Sequence, residues 1–228
     1  MKQRQIIFNG TEVLATLEGL KSQFRRPVKP QPTEYETVFK LGPGLFEVSG
    51  NVGQSWYRDL VCPLGIPGDR LYVAETFWVD RRERTSSDYC YVIYDADRSV
   101  CMDKRSGGVK ECDEGVSEPG YMENHKWWFR NSSARMPRWA SRILLEITNV
   151  NIERVQEISE TDCILEGCSQ WERPTHPFSR IVEAERIPMR VADPDMFRYL
   201  WEEANGKKGY GWTTNPHVWV VTFKRVQK

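Results

Sequence analysis

The chain has no apolar run near the ~18 residues that a membrane-spanning helix requires, so no membrane partner is expected. It has no excess charge: 32 Lys and Arg balance 32 Asp and Glu. The chain as a whole is therefore not a polyelectrolyte, and any nucleic-acid footprint has to come from local clustering. It has no Cys-x-x-Cys pair, the spacing by which one turn presents two zinc ligands. It has no P-loop and no dinucleotide fingerprint. The start, Met-Lys-Gln-Arg-Gln-Ile-Ile-Phe, lacks the apolar stretch of a secretory leader. A cytoplasmic location with reduced thiols is expected for the cysteines at 62, 90, 101, 112, 163 and 168. Cys90, Cys101 and Cys112 could join Cys62 or His125 around a zinc ion, but free thiols are the plainer reading, and neither a metal nor a cofactor is expected. His125, His176 and His217 are scattered without Ser-His-Asp or metal spacing and are expected to be structural.

What is present is a core. The 228 residues are 39% hydrophobic and 12% aromatic, with nine each of Trp, Tyr and Phe. That excludes disorder over most of the chain and fits one domain over 1–228. Gln5 to Phe8 reads as a strand and Asn9-Gly10 as a turn. Thr11 is placed to cap a helix to Leu17, with Gly19 just past its end. Leu71 to Trp78 reads as one strand, which puts Glu75 on the face of Leu71, Val73 and Phe77. Further strands are expected over Tyr89–Tyr94, 143–155 and His217–Val226. Ser159 opens a short helix, and Asp193-Pro194 a longer one that ends at Asn205-Gly206. Insertions are expected near 33–60, 80–125 and 168–190. The class is α+β, with many strands, few short helices and non-local pairing, as in a mixed β-barrel with helices at its rim.

Two stretches concentrate cations. No acid separates Glu18 from Glu34, so Lys21, Arg25, Arg26 and Lys29 stand together. Arg forks suit phosphates, although a solvated charged turn has the same composition. Between Glu123 and Glu146, five Lys and Arg interleave with four aromatics. Base stacking plus backbone charge holds single-stranded nucleic acid in this way, and packing of Trp127, Trp128 and Trp139 is the alternative. Arg138, Trp139 and Arg142 are the candidate contacts there.

The Gly19-x-Lys21-x-x-x-x-Arg26 turn, the segment Pro67 to Thr76 and the closing Trp219-Val220-Val221-Thr222-Phe223 strand together resemble the ASCH domain. Met136 to Arg142 and Leu200 to Gly206 look like its phage and prophage branch, whose members are often labelled morphogenetic proteins. The resemblance implies a PUA-like β-barrel with a cleft that binds RNA or a nucleoside. In small bacterial members it implies removal of the acetyl group from N4-acetylcytidine, by a Lys and a Thr of the turn and a Glu of the following strand. Lys21 matches the Lys, Arg26 the closing Arg and Glu75 the Glu. Phe24 stands at the Thr position and has no nucleophilic oxygen, so binding is favoured over hydrolysis. Lys21 and Glu75 are thus the candidate catalytic pair. Ser22, Phe24, Arg25, Arg26, Arg138, Trp139 and Arg142 are the candidate ligand contacts, with Phe24 free to stack on a base. A phage or host protein is the alternative partner.

Overall fold

The structure, a computed structural model, describes residues 1–33, 36–50, 57–80, 89–104, 121–123, 126–168 and 192–227. In chain order the first strands are β1 (Gln3–Ile7), β2 (Gln23–Pro27), β3 (Glu36–Gly42), β4 (Leu45–Gly50), β5 (Tyr57–Val61) and β6 (Arg70–Ala74). They are followed by β7 (Phe77–Asp80), β8 (Tyr89–Tyr94), β9 (Val100–Lys104), β10 (Tyr121–Glu123), β11 (Lys126–Asn131), β12 (Leu144–Arg154) and β13 (His217–Val226). The helices are α1 (Gly10–Leu17), α2 (Glu160–Leu165) and α3 (Pro194–Asn205). The fold is α+β with strands dominant. The described strands form three open sheets, ordered β1-β6-β12-β13-β2, β10-β11-β7-β8-β9 and β3-β4-β5, and none closes into a barrel. No helix among the described residues is long and apolar enough to cross a membrane.

β13 organises the first sheet. Its side chains alternate between two faces, and both faces are covered. Trp219, Val221 and Phe223 enter the main core with Phe8, Phe24, Leu71, Val73, Leu145 and Ile147. Val218 and Val220 enter a second cluster with Cys163, Cys168, Phe197 and Trp201, beneath α2 and α3. This explains the unbroken burial from Val218 to Val221 and the run Val-Trp-Val-Val in place of simple alternation. β2 pairs antiparallel with β13, Phe24 opposite Val221 and Arg25 opposite Val220. Phe24 therefore points into the main core and Arg25 toward the helices.

Several local expectations are revised. α1 is capped by Asn9, not Thr11: the Asn9 side chain accepts from the Glu12 amide, and the Glu12 carboxylate accepts from the Asn9 amide. This reciprocal arrangement satisfies two otherwise unpaired donors. The insertion expected near 33–60 contains the β3–β4 hairpin and the start of β5; Gly42-Pro43-Gly44 turns the hairpin, with Gly44 at φ 69°. The stretch 95–124 holds β9 and β10. The strand expected over 71–78 breaks at Glu75-Thr76. β6 ends in the first sheet, and β7 begins in the second. Glu75 is consequently a junction residue and not part of a continuous strand face.

Candidate functional site

The route to the site starts at the end of α1. Gly19, at φ 73°, closes the helix: its amide donates to Thr16 O at 3.2 Å, and the Leu20 amide donates to Ala15 O at 2.8 Å. This left-handed cap turns the chain so that Lys21 follows directly. From the far side, Gly167 ends α2 at φ 86°. A Cβ there would stand 3.2 Å from the Ala15 Cβ and 3.5 Å from the Lys21 Cβ. Two glycines thus let the α2 terminus lie against Lys21, which brings Glu166 to it.

Lys21 and Arg25 are both buried, with 5% and 2% of their surface exposed. Lys21 Nζ donates to the Glu166 carboxylate at 2.8 Å and to the Glu166 carbonyl at 2.9 Å. Glu12 Oε1 lies 3.9 Å from it, beyond hydrogen-bond length. An ammonium has three donors, so one has no hydrogen-bond partner among the described residues. Arg25 spends its guanidinium differently. Nη1 donates to Gln23 and to Glu166 at 2.7 and 3.0 Å. Nη2 donates to Asp162 and Glu153 at 3.0 and 3.3 Å. Burial works to raise the Asp162 carboxyl, but Arg25 and the Ser159 hydroxyl prevail and hold it below its usual value.

Lys21, Arg25 and Glu166 form the floor of a cavity of about 590 Å³ between the α1 N-terminus, the end of α2 and one face of α3. Asn9, Glu12, Lys21, Arg26, Phe197 and Trp201 are among its lining residues. That volume is in the range of small-molecule sites. The Trp201 indole is fixed by a 2.8 Å hydrogen bond to the Tyr210 carbonyl. The contribution of α2 and α3 was missed in the sequence. Glu166 and Trp201 lie about 145 and 180 residues beyond Lys21, and only the sheet pairing brings them there. The cap at Ser159 and the glycine at 167 were the available signals.

The expected site residues divide. Lys21, Arg25 and Arg26 share the cavity lining. Phe24 does not: it is fully buried in the main core, with Phe8 and Phe223 ring centroids at 5.7 and 5.8 Å. Its ring is out of reach of any base, because strand alternation turns it away from the face that Arg25 occupies. Arg25 is also corrected as a phosphate contact, since four of its donors are held by protein acceptors. Arg26 lies over the Phe24 ring at 5.3 Å and donates to the Ile7 carbonyl, capping the end of the core. Ser22 is half-buried, and its backbone bonds to Leu165 and Phe223; it is not among the lining residues.

Glu75 does not pair with Lys21. It takes a fork of two 2.8 Å hydrogen bonds from Arg142. Burial pushes the Glu75 carboxyl up against the pull of Arg142. Arg142 Nη1 also donates to Asp97 and Ser99 at 2.6 and 2.7 Å, and its guanidinium lies 4.0 Å from the centre of the Tyr94 ring. With both faces of its fork engaged, Arg142 ties the loop at 95–99 to the β6–β7 junction and is not a phosphate contact. Trp139 packs on the cluster of Phe77, Val79, Val92, Tyr94 and Met136. Arg138 is exposed in the 3-10 turn Arg138–Ala140, and neither it nor Trp139 lines the cavity. The side chains of Trp127, Trp128, Cys90 and Cys101 fall outside the description, as do Cys112, His125, His176 and most of 168–190. Among the described residues no group of three or more His, Cys, Asp or Glu side chains could hold a metal ion.

No protein-family model, curated protein or solved structure matches the chain.

Proposed function

We propose that this is an ASCH-like, PUA-like protein of phage type that binds RNA or a modified nucleoside, and that the base and sugar occupy the cavity over Lys21. The observation that carries the reading is the Lys21 ammonium. It is buried, it lines a cavity of nucleoside size, and among the described residues one of its three donors lacks a hydrogen-bond partner. An ammonium can donate three hydrogen bonds, and a ligand oxygen would complete the set. Asn9, Glu12 and Asn205 offer acceptors and donors around it, and Trp201 and Phe197 supply apolar wall. Such a mixture of apolar wall and few polar groups suits a nucleobase with its ribose.

Binding is favoured over amide hydrolysis of an acylated base. The hydrolytic reading needs Lys21 and Glu75 on one reacting group, and the two side chains have separate partners. With Phe24 in the core no side chain replaces the family's Thr, so the reaction would need a water activated by Lys21, whose ammonium is already engaged by Glu166.

The test is isothermal titration of cytidine, N4-acetylcytidine and a short single-stranded RNA into the protein and into Lys21→Met. Saturable binding that Lys21→Met weakens at least tenfold is expected, since a hydrogen bond from a charged group contributes about 1.5–3 kcal/mol. Absence of binding by all three ligands, or equal binding by the variant, overturns the reading. Acetate release from N4-acetylcytidine would restore the hydrolytic one.

A further inference from the structure

Six ion pairs connect cations of the cavity lining to carboxylates in the lining and behind it. They join three cations, Lys21, Arg25 and Arg26, to four carboxylates, Glu12, Glu153, Asp162 and Glu166. Glu12 and Glu166 line the cavity, while Glu153 and Asp162 stand behind Arg25; the network as a whole carries one negative charge in excess, whereas the lining side chains alone carry one positive. At the rim, Lys208 and Glu203 cancel each other. The cationic turn at 21–26, which in sequence looks like a phosphate clamp, is therefore neutralised and exceeded in the fold by acids from α1, α2 and β12.

The second observation concerns α1. A helix N-terminus with free amides attracts anions. Here Asn9, Thr11 and Glu12, at the N-terminus of α1, line the cavity. The position an anion would take is filled by the protein's own groups. The Asn9 side chain accepts the Glu12 amide at 2.9 Å, and Glu12 Oε2 accepts the Asn9 amide at 3.0 Å. The other Glu12 oxygen faces Lys21 at 3.9 Å and Arg26 at 3.5 Å. One carboxylate thus occupies the helix terminus and screens the two cations that a phosphate would seek.

We infer that the cavity selects an uncharged ligand, a free nucleoside over its 5′-phosphate, and that Glu12 is the residue that rejects the phosphate. The inference rests on the nucleoside reading above and narrows it. Glu12, partly exposed at the mouth of the cavity, acts by repulsion of a second anion close to it, where like charges near a protein surface still interact more strongly than in bulk water. The third Lys21 donor, which Glu12 approaches only at 3.9 Å, then serves a neutral acceptor, a base carbonyl or a ribose hydroxyl.

The experiment compares cytidine and N4-acetylcytidine with their 5′-monophosphates by calorimetric titration of the wild-type protein and of Glu12→Gln. Glutamine keeps the capping arrangement at this position, so the variant is expected to fold; matching circular dichroism and melting temperature check it. The expected result is binding of the nucleosides roughly tenfold or more tighter than the monophosphates in wild type, with a smaller gap in Glu12→Gln. Monophosphates that bind as tightly as nucleosides overturn this inference and leave the nucleoside reading intact. A gap that Glu12→Gln leaves unchanged removes Glu12 as its cause. Failure of all four ligands to bind overturns the nucleoside reading and this inference with it.

Discussion

Phe24 and Arg25 are neighbours in the chain and lie on opposite faces of one strand, Phe24 among Phe8 and Phe223 in the main core and Arg25 among Glu153, Asp162 and Glu166 beneath the helices. Both are almost fully buried, and they are buried by different physics. Phe24→Ala removes a ring from a packed core and is expected to cost about 3–5 kcal/mol. Arg25→Met leaves carboxylates without their partner and is expected to cost a similar ~3–5 kcal/mol near neutral pH. Acid separates them. The Asp162 carboxyl is held below its ordinary 3.8, so what Arg25 contributes through it is present above that pH and lost as pH falls through the folded value. Urea unfolding at pH 7 and pH 3 should show a shrinking penalty for Arg25→Met and an unchanged one for Phe24→Ala.

Gly167→Ala tests how the cavity floor is assembled. The residue sits at φ 86°, where a side chain costs roughly 1–2 kcal/mol. The new methyl would also press on Ala15 and Lys21. A lowered melting temperature is expected together with weakened nucleoside binding. Gly68→Ala is the control: it is also at positive φ, 90°, but nothing stands within 4 Å of its Cβ position. It should lower stability and leave binding unchanged.

Much of this architecture is legible in the sequence, and what was not legible has a common cause. β13 and α3 announce themselves through apolar periodicity and a Pro-opened helix, and both match the expected positions closely. Glu75 looked like a strand residue because nothing local in Val-Ala-Glu-Thr-Phe marks a change of sheet. Its partner Arg142 lies 67 residues away, and pairing across that separation is a property of the topology. The basic turn misled for the same reason. Composition shows that four cations lack nearby acids in sequence, and the acids arrive from β12 and α2 only after the sheet forms. Alternation along residues 23–27 was the one local signal that could have placed Phe24 in the core.

The Arg142 junction gives a pH prediction of its own. Burial works to raise the Asp97 carboxyl, but hydrogen bonds from Arg142 and Ser99 outweigh it and hold it at about 2, below the ordinary 3.8. A depressed carboxyl contributes stability that is complete above about 3.8 and lost as pH falls through about 2. Melting curves of wild type and Asp97→Asn should therefore differ most above pH 4 and converge toward pH 2. A difference that is constant with pH would show that Asp97 acts through packing alone.

The most direct test of the cavity as a ligand site is a cytidine titration of the ¹⁵N-labelled protein followed by amide and indole chemical shifts. Saturable shifts are expected at Glu12, Ala15, Lys21, Gly167 and the Trp201 indole, with Arg138 to Arg142 unmoved. Shifts confined to Arg138–Arg142, or none at all, would contradict the account.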